Sequence, residues 1–384
     1  MKYRPFGKKM NWQGSALGFG AMRLPQTSNN PADVDEAESI RMVRHAIDHG
    51  VNYVDTAYPY HMGKSEVVIG KALLDGYRQK VKLATKMPPW SVQTAADFDR
   101  ILDEQMQRLQ TDVIDCYLLH GLNNIFWPKL RDLKVFDWAE KAMASGRIGK
   151  LGFSFHDEYS LFKEIVDAYD NWTFCQIQYN YMDIDYQAGT KGLKYAADKG
   201  LAVVVMEPLR GGSLTKKPPE AVAKIWAEAK HQHTLAEWAL LWIWEKPEVS
   251  LVLSGMSKFE QLVENLAIAE KSGPGTLTQE DLKLIARARK AFKGTSPIPC
   301  TNCGYCMPCK QGVEIPRIFQ LYNNGIMYDD MKTARFFYHQ AFASIPENQR
   351  ADQCIECGEC EEACPQKIPI AEWLKKVHKE LGPR

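Results

Sequence analysis

Between about residues 15 and 270, short apolar runs of the β type alternate with segments whose apolar positions recur every three or four residues. The runs are SALGFGAM, VNYVDTA, VKLATK, VIDCYLLH, IGKLGFSF, FCQIQYN, LAVVVMEP and VSLVLSG. The periodic segments predict helices over Asp35–His49, Ser65–Leu74, Ala95–Leu109, Lys134–Ser145, Tyr159–Tyr169, Gln187–Lys199, Thr234–Glu245 and Lys258–Glu270. Three of these segments run into Gly50, Gly146 and Gly200. A glycine there suits the left-handed residue that commonly ends a helix.

Eight strands in strict alternation with eight helices, over about 255 residues, predict a parallel sheet with right-handed crossovers, closed into a (β/α)8 barrel. An open doubly wound sheet is the alternative. It would need G-x-G-x-x-G after the first strand, where LGFGAMRL offers only G-x-G. In such a barrel the chemistry sits at the C-terminal ends of the strands. That filter selects Asp55, followed by Thr56-Ala57-Tyr58-Pro59-Tyr60, then Lys86, then His120.

Taken singly, an Asp or a Lys there reads as half of a structural ion pair, Tyr60 as core and His120 as a satisfied core imidazole. Together they form a proton-delivery set. A phenol is a poor acid near neutrality, an ammonium beside it stabilises the phenolate, and a buried ammonium needs the counter-charge that Asp55 offers. An imidazole can then orient a carbonyl oxygen facing the phenol. The set has no electron source of its own, so it implies a hydride-donating cofactor. Trp90, in KMPPW, and Phe126-Trp127 follow the same strand ends and suit the wall of an apolar substrate pocket or packing on the barrel rim.

Over about residues 10–272 the chain resembles the aldo/keto reductases, (β/α)8 enzymes that use NAD(P)H. The carrying residues are GVNYVDTAYPY, GKSEVVIGKAL, ATK, DCYLLH, GRIGKLGFS, FCQIQYN, EPLRGG and SGMSKFEQLVEN. The resemblance implies that Tyr60 is the general acid, that Lys86 and Asp55 tune it, and that His120 orients the substrate carbonyl. It also implies a cofactor site. Asp55 approaches the ribose, Ser154 and Gln176 hold the carboxamide, and Met206 stands where many members place a ring against the nicotinamide. Pro208, Leu209 and Gly211 belong to the pyrophosphate loop. Gly255, Ser257, Lys258, Gln261, Glu264 and Asn265 form the adenosine-phosphate segment, with Glu264 and Asn265 at the adenine. Phe155 stands where an Asn is common. Gly255-Met256…Gln261 replaces the family's Lys-Ser…Arg grip on a 2′-phosphate, which leaves NADP or NAD open; Lys258, Ser257 and Arg210 are the groups available to compensate.

Of 10 cysteines, only Cys116 and Cys175 precede residue 300. These two fall on barrel strands and read as inert core thiols. The rest form C-TN-C-GY-C-MP-C (Cys300, Cys303, Cys306, Cys309) and C-IE-C-GE-C-EEA-C-P (Cys354, Cys357, Cys360, Cys364). The second run has the bacterial ferredoxin spacing, in which three thiolates hold one [4Fe–4S] cube and the fourth reaches the other. The first has x2 before its last cysteine, followed by Lys310 rather than proline. Two [4Fe–4S] clusters are expected, one on Cys300, Cys303, Cys306 and Cys364, the other on Cys354, Cys357, Cys360 and Cys309. Structural zinc is the rival, although zinc sites typically use separated C-x2-C pairs. The intervening stretch looks helical in PRIFQLYNNGIMY and DDMKTARFFYHQAFAS. The whole chain thus resembles aldo/keto reductases fused to a C-terminal, helical 4Fe-4S ferredoxin domain. The expected division is a barrel over 1–275, a connecting helix and linker over 276–295, and a two-cluster domain over 296–384.

Composition narrows the function further. The chain has 384 residues, 45% of them hydrophobic and 25% charged, which excludes wholesale disorder. Its net charge of +1 gives no basic excess for general nucleic-acid binding. The most apolar stretch, Leu235 to Trp244, carries Glu237 and falls short of the roughly 20 residues of a membrane span. No apolar run of the signal-peptide type opens the sequence, so the expected location is the cytoplasm, where eight clustered thiols bind metal more often than they form disulfides. The expected activity is interconversion of a small carbonyl compound and its alcohol, with the clusters open to an electron-transfer protein partner, a radical step, or a structural or sensing role. The alternative is an electron-transfer or redox-sensing module whose barrel only binds nicotinamide.

Overall fold

The computed structural model describes residues 1–28, 30–300, 304–339 and 345–382. Strands β1 (Tyr3–Pro5) and β2 (Gln13–Ser15) form an antiparallel hairpin. Strands β3 (Leu17–Gly20), β4 (Tyr53–Asp55), β5 (Lys82–Met87), β6 (Ile114–Leu122), β7 (Ile148–Phe155), β8 (Phe174–Gln178), β9 (Ala202–Met206) and β10 (Val249–Ser254) close into one barrel, β10 pairing with both β9 and β3. Every pairing within the barrel is parallel. The eight runs expected from the sequence are the eight barrel strands, trimmed at their ends.

Helices α1 (Glu36–Asp48), α2 (Lys64–Ala72), α3 (Ala96–Leu109), α4 (Phe126–Asp132), α5 (Val135–Ala144), α6 (Tyr159–Asp167) and α7 (Gly189–Asp198) follow strands β3 to β8. They are succeeded by α8 (Glu220–Ala227), α9 (Leu235–Trp244) and α10 (Phe259–Lys271). Caps explain where some begin: the Asp35 carboxylate accepts from the Glu38 amide at 3.0 Å, and the Thr234 hydroxyl from the Glu237 amide at 3.1 Å. Gly50, Gly146 and Gly200 follow α1, α5 and α7 with φ of 92°, 77° and 81°. Ala236 to Trp244 of α9 are all buried, so the most apolar stretch of the chain is a helix packed on every side. Among the described residues no helix is long and apolar enough to cross a membrane.

The sequence reading did not include the β1–β2 hairpin, α4 or α8. Three-residue strands are too short to show a period. The hairpin nonetheless fills a core: Phe6 is fully buried and packs on Trp12, Tyr53 and Phe174 at ring distances of 5.2, 5.8 and 5.6 Å. Gly7, at φ 65°, lies so close to the Ala202 amide that any side chain there would collide with it.

The chain divides into two compact units, Met1–Gly211 with His233–Leu282, and Gly212–Gln232 with Lys283–Arg384. The division falls inside helix α11 (Gln279–Gly294), in the stretch the sequence marks as connector, and the second unit also takes α8 out of the barrel's sequence. Within that unit Arg287 grips Glu228 through two bonds of 2.6 and 2.8 Å, tying the excised segment to α11. Helices α12 (Ile315–Met327), α13 (Met331–His339), α14 (Glu359–Glu362) and α15 (Ile370–Leu381) make up the remainder. Their core includes Ile318, Phe319, Tyr322, Tyr338, Leu374 and Val377.

Phe6→Ala is expected to remove about 3–5 kcal/mol of stability. Urea denaturation should show a lowered midpoint without a change of slope.

Candidate active site

Three strand ends bring the expected tetrad together. Asp55 closes β4, Lys86 lies next to the end of β5, and in-register pairing sets Asp55 beside Ala84. The Lys86 Nζ donates to Asp55 Oδ1 at 2.6 Å, to the Thr56 carbonyl at 2.7 Å, and to the Tyr60 hydroxyl at 3.4 Å. Both charged side chains are nearly inaccessible, at 1% and 3% exposure. Tyr60 is half-buried on a short turn held by two left-handed residues, His61 and Met62. The His120 ring lies edge-on to that of Tyr60, 6.1 Å between centroids.

Burial and charge work against each other here. Burial lowers and Asp55 raises the affinity of Lys86 for its proton; the pair wins and the ammonium is held above its ordinary range. Burial pushes the Asp55 carboxyl up, against the pull of Lys86. For Tyr60, burial outweighs the ammonium, and Asp55 and Glu207 add to it, so the phenol rises above its usual value. The expectation that Lys86 favours the phenolate is right in sign for that one contact, yet the net effect keeps the hydroxyl protonated near neutrality. His120 is driven well below its ordinary value by burial, then by Lys86 and His156, which makes its imidazole neutral.

A network lies behind Lys86. Gln105 donates to the Lys86 carbonyl at 3.0 Å and to the buried Glu66 at 2.8 Å, and Glu66 also accepts from Thr85 at 2.7 Å. On the open side Trp90 packs on His120 at 5.2 Å and on Phe126 at 6.0 Å. Trp127 turns away: it is buried and donates to Glu164 at 2.8 Å.

The next strand ends carry the expected cofactor residues. The Ser154 hydroxyl accepts from the Gly121 amide at 2.7 Å. Gln176 is buried, and among the described residues its Oε1 has no hydrogen-bond partner, nor do Asp55 Oδ2 and His120 Nδ1. Buried polar atoms without partners are unusual, and these three suit a polar ligand lying across β4, β6 and β8. Met206 ends β9, half-buried; Pro208 is buried and Leu209 half-buried behind it. Arg210 is engaged by Asp183 at 2.9 Å. Past β10, Gly255, Ser257 and Lys258 are exposed, and Gln261 accepts from the Ser257 and Lys258 amides at 2.9 and 3.2 Å. Gln261 therefore caps α10 with its oxygen. Asn265 is buried and donates to Ser254 at 3.0 Å, while Glu264 accepts from Thr234 at 2.7 Å.

Three further residues reach this region. His156, two places beyond Ser154, keeps some exposed surface, but burial of its imidazole pushes it down to about 4, against a bond to Gln187 and with Lys86 adding repulsion. Glu207 follows β9 in a left-handed conformation, φ 55°, and acts electrostatically on Tyr60. Arg23, on the turn after β3, leans toward Gly211 and Gly255. Position at a strand's C-terminal end is the signal that singles out all three.

In the second unit, Cys300, Cys306 and Cys364 line one cavity with Ile315, Phe319 and Ile370. Cys303, the fourth expected member, lies outside the described residues. The Cys360 thiol is pushed up to about 11 by burial and then by Cys354, Glu361, Cys357 and Cys309, so the other expected set of four also gathers. Crowded thiols resist ionising until a cation takes up their charge, which is the electrostatic situation of a cluster site. Among the described residues no three His, Cys, Asp or Glu side chains stand close enough to hold a single metal ion. Cys116 and Cys175 are buried in the barrel with thiols pushed up by burial.

A model of the aldo/keto reductase family matches residues 16–290, and one of the 4Fe-4S dicluster domain matches residues 299–369. The chain belongs to the aldo/keto reductase family and carries a C-terminal 4Fe-4S dicluster domain, and it is an oxidoreductase. Among its relatives, the NADH-specific methylglyoxal reductase of Escherichia coli is 26% identical, over 71% of this chain and 96% of that one. The uncharacterized oxidoreductase YrpG of Bacillus subtilis is 28% identical, over 70% and 93%. The aldo-keto reductase AKR11C1 from Bacillus halodurans, in its holo form, superposes with a TM-score of 0.62 at 28% identity, covering 75% of this chain and 96% of its own. An aldo-keto reductase from Klebsiella pneumoniae in complex with NADPH gives 0.60 at 25%, covering 75% and 95%.

Asp55→Asn leaves the Lys86 ammonium buried without its counter-charge and should cost about 3–5 kcal/mol. Because Lys86 is raised in the folded state, its stabilisation is present below the ordinary lysine range and fades as pH climbs through the raised value. In Asp55→Asn burial is opposed only by Tyr60, and the lysine falls. Denaturation midpoints measured from pH 7 to 10 should therefore climb in the variant relative to the wild type, because its folded state sheds the lysine proton before the unfolded chain does.

Proposed function

We propose that the barrel interconverts a carbonyl compound and its alcohol with NADH or NADPH, and that Tyr60 is the proton donor and acceptor. The observation that carries this reading is the buried Lys86 ammonium, 2.6 Å from Asp55 and 3.4 Å from the Tyr60 hydroxyl, on strand ends that also hold an unpartnered Gln176 oxygen. Gln176 and Ser154 suit the nicotinamide carboxamide, Asp55 the adjoining ribose, and Met206 the ring face. Pro208, Leu209 and Gly211 suit the pyrophosphate, and Gly255, Ser257, Lys258, Gln261, Glu264 and Asn265 the adenosine end. The nicotinamide, when bound, supplies or takes the hydride. Tyr60 holds its proton near neutrality and is poised to give it to the carbonyl oxygen as negative charge develops there. Lys86 then stabilises the phenolate left behind. The neutral His120 steers the oxygen toward the phenol without adding a positive charge that would compete for it.

The eight clustered thiols suit two [4Fe–4S] clusters, Cys300, Cys303, Cys306 and Cys364 on one and Cys354, Cys357, Cys360 and Cys309 on the other. A domain over 296–384 would hold both, joined through 276–295 to a barrel over 1–275. Clusters pass single electrons whereas the barrel moves a hydride, so we assign them an external one-electron protein partner in the cytoplasm.

Two measurements test these assignments. Anaerobic NADH or NADPH oxidation with a panel of aldehydes and ketones should show turnover that Tyr60→Phe cuts by about 10²-fold or more while nucleotide binding persists. Dye reduction through the clusters with no carbonyl turned over would instead favour an electron-transfer module. Anaerobic protein should hold about eight iron and about eight sulfide per chain, with low-temperature EPR signals after reduction. Bound zinc in place of iron would refute the cluster assignment.

A further inference from the structure

The turn Ala21–Arg23 leaves the C-terminal end of β3 and is pinned at both sides. The buried Ser65 hydroxyl donates to the Ala21 carbonyl at 3.0 Å, and the Leu24 amide donates to His61 Nε2 at 3.1 Å. Strand β3 itself runs close against β10, with Phe19 beside Ser254 and Gly20 so near the Ser254 carbonyl that a Cβ would sit 3.3 Å from it. The backbone that launches the Arg23 side chain is therefore rigid, although the side chain is exposed.

The path of that side chain runs between two loops. A Cβ added at Gly255 would meet the Cγ, Cβ and Cδ of Arg23 at 3.2, 3.3 and 3.3 Å, and one added at Gly211 would meet its guanidinium at 3.2 Å. Two glycines thus leave room for one arginine. Gly211 and Gly212 have φ of 66° and 92°, a conformation that also disfavours side chains. Arg23 has no ion-pair or hydrogen-bond partner among the described residues. The carboxylate of Glu207 lies on the same side of Gly211, 3.6 Å from the added Cβ.

We propose that Arg23 is the phosphate clamp of this barrel, gripping the pyrophosphate bridge of a bound dinucleotide between the loops of Gly211 and Gly255. The proposal rests on the dinucleotide reading above. The polar groups suited to the nicotinamide end, Gln176 and Ser154, lie at β7 and β8, and the adenosine end falls on α10. A pyrophosphate joins the two and so crosses the gap that Arg23 spans. Of the other cations near this gap among the described residues, Arg210 is engaged by Asp183, and Lys258 stands at the start of α10, where the adenosine end is placed. A guanidinium offers a planar fork of donors matched to phosphate oxygens. Because the pyrophosphate is common to both cofactors, Arg23 contributes equally to NADH and NADPH and does not select between them.

The test is titration of the full chain, anaerobically, with ADP, 2′-AMP, NADH and NADPH, followed by intrinsic tryptophan fluorescence or calorimetry, so that no turnover is needed. Arg23→Gln should weaken ADP, NADH and NADPH by a common factor of about tenfold or more and leave 2′-AMP within twofold. Arg23→Lys should recover part of the loss, and circular dichroism should show both variants folded. Unchanged ADP and NADH affinity in Arg23→Gln would overturn the clamp and leave the dinucleotide reading standing, with Arg23 merely facing Glu207. Loss confined to NADPH and 2′-AMP would overturn it too, by moving Arg23 to the 2′-phosphate. Wild-type protein that binds none of the four would remove the dinucleotide reading and the clamp together.

Discussion

The arrangement at the barrel mouth depends on an ammonium placed where water cannot reach it. An ion of this size is costly to bury, and only close opposite charge with further hydrogen bonding offsets the cost. Lys86 meets that condition through Asp55 on the neighbouring strand and the Thr56 carbonyl beyond it. The requirement then propagates outward. Strands β4 and β5 must pair in the one register that sets these side chains together, and the turn carrying Tyr60 must fold back over them. Gln105 and Glu66 hold the Lys86 backbone from behind, so the charge is fixed in position rather than merely neutralised.

The electrostatic result differs from a simple activated phenol. One ammonium at 3.4 Å does not overcome burial, the Asp55 charge and Glu207 together. The phenol stays protonated and the imidazole beside it stays neutral, so the site holds one mobile proton next to a fixed positive charge. In the reaction proposed above, that state suits delivery of a proton to an oxyanion, with Lys86 at hand for the phenolate that results.

The second unit follows a different logic. Its helices bury a modest core, Phe319, Tyr338, Leu374 and Cys364 among its members, and Cys300, Cys306, Cys309, Cys354 and Cys360 pack against it, partly buried. Thiols from distant parts of the sequence, Cys300 and Cys306 with Cys364, and Cys309 with Cys354, Cys357 and Cys360, meet only because α12 to α15 fold back on themselves. Cluster assembly and folding of this unit are therefore expected to be coupled.

Much of this was legible along the chain. The period of apolar positions determined eight strands and eight helices, glycines after α1, α5 and α7 marked helix ends, and the strand-end rule singled out Asp55, Tyr60, Lys86 and His120 before any contact was known. Cysteine spacing marked the tail as a cluster domain. Tertiary structure decided the rest, because each remaining point turns on distances between residues far apart in sequence. The hairpin that carries Phe6 into the core has strands too short for a pattern, and Gly212–Gln232 leaves the barrel for the other unit. His156, Glu207 and Arg23 are ordinary charged or polar residues until folding brings them to the rim. Only there does Gln261 prove to be capping its own helix, and Arg23 to lie in the gap that two glycines leave open. Local order follows from local side-chain chemistry; the meeting of charges across strands is a property of the closed barrel alone.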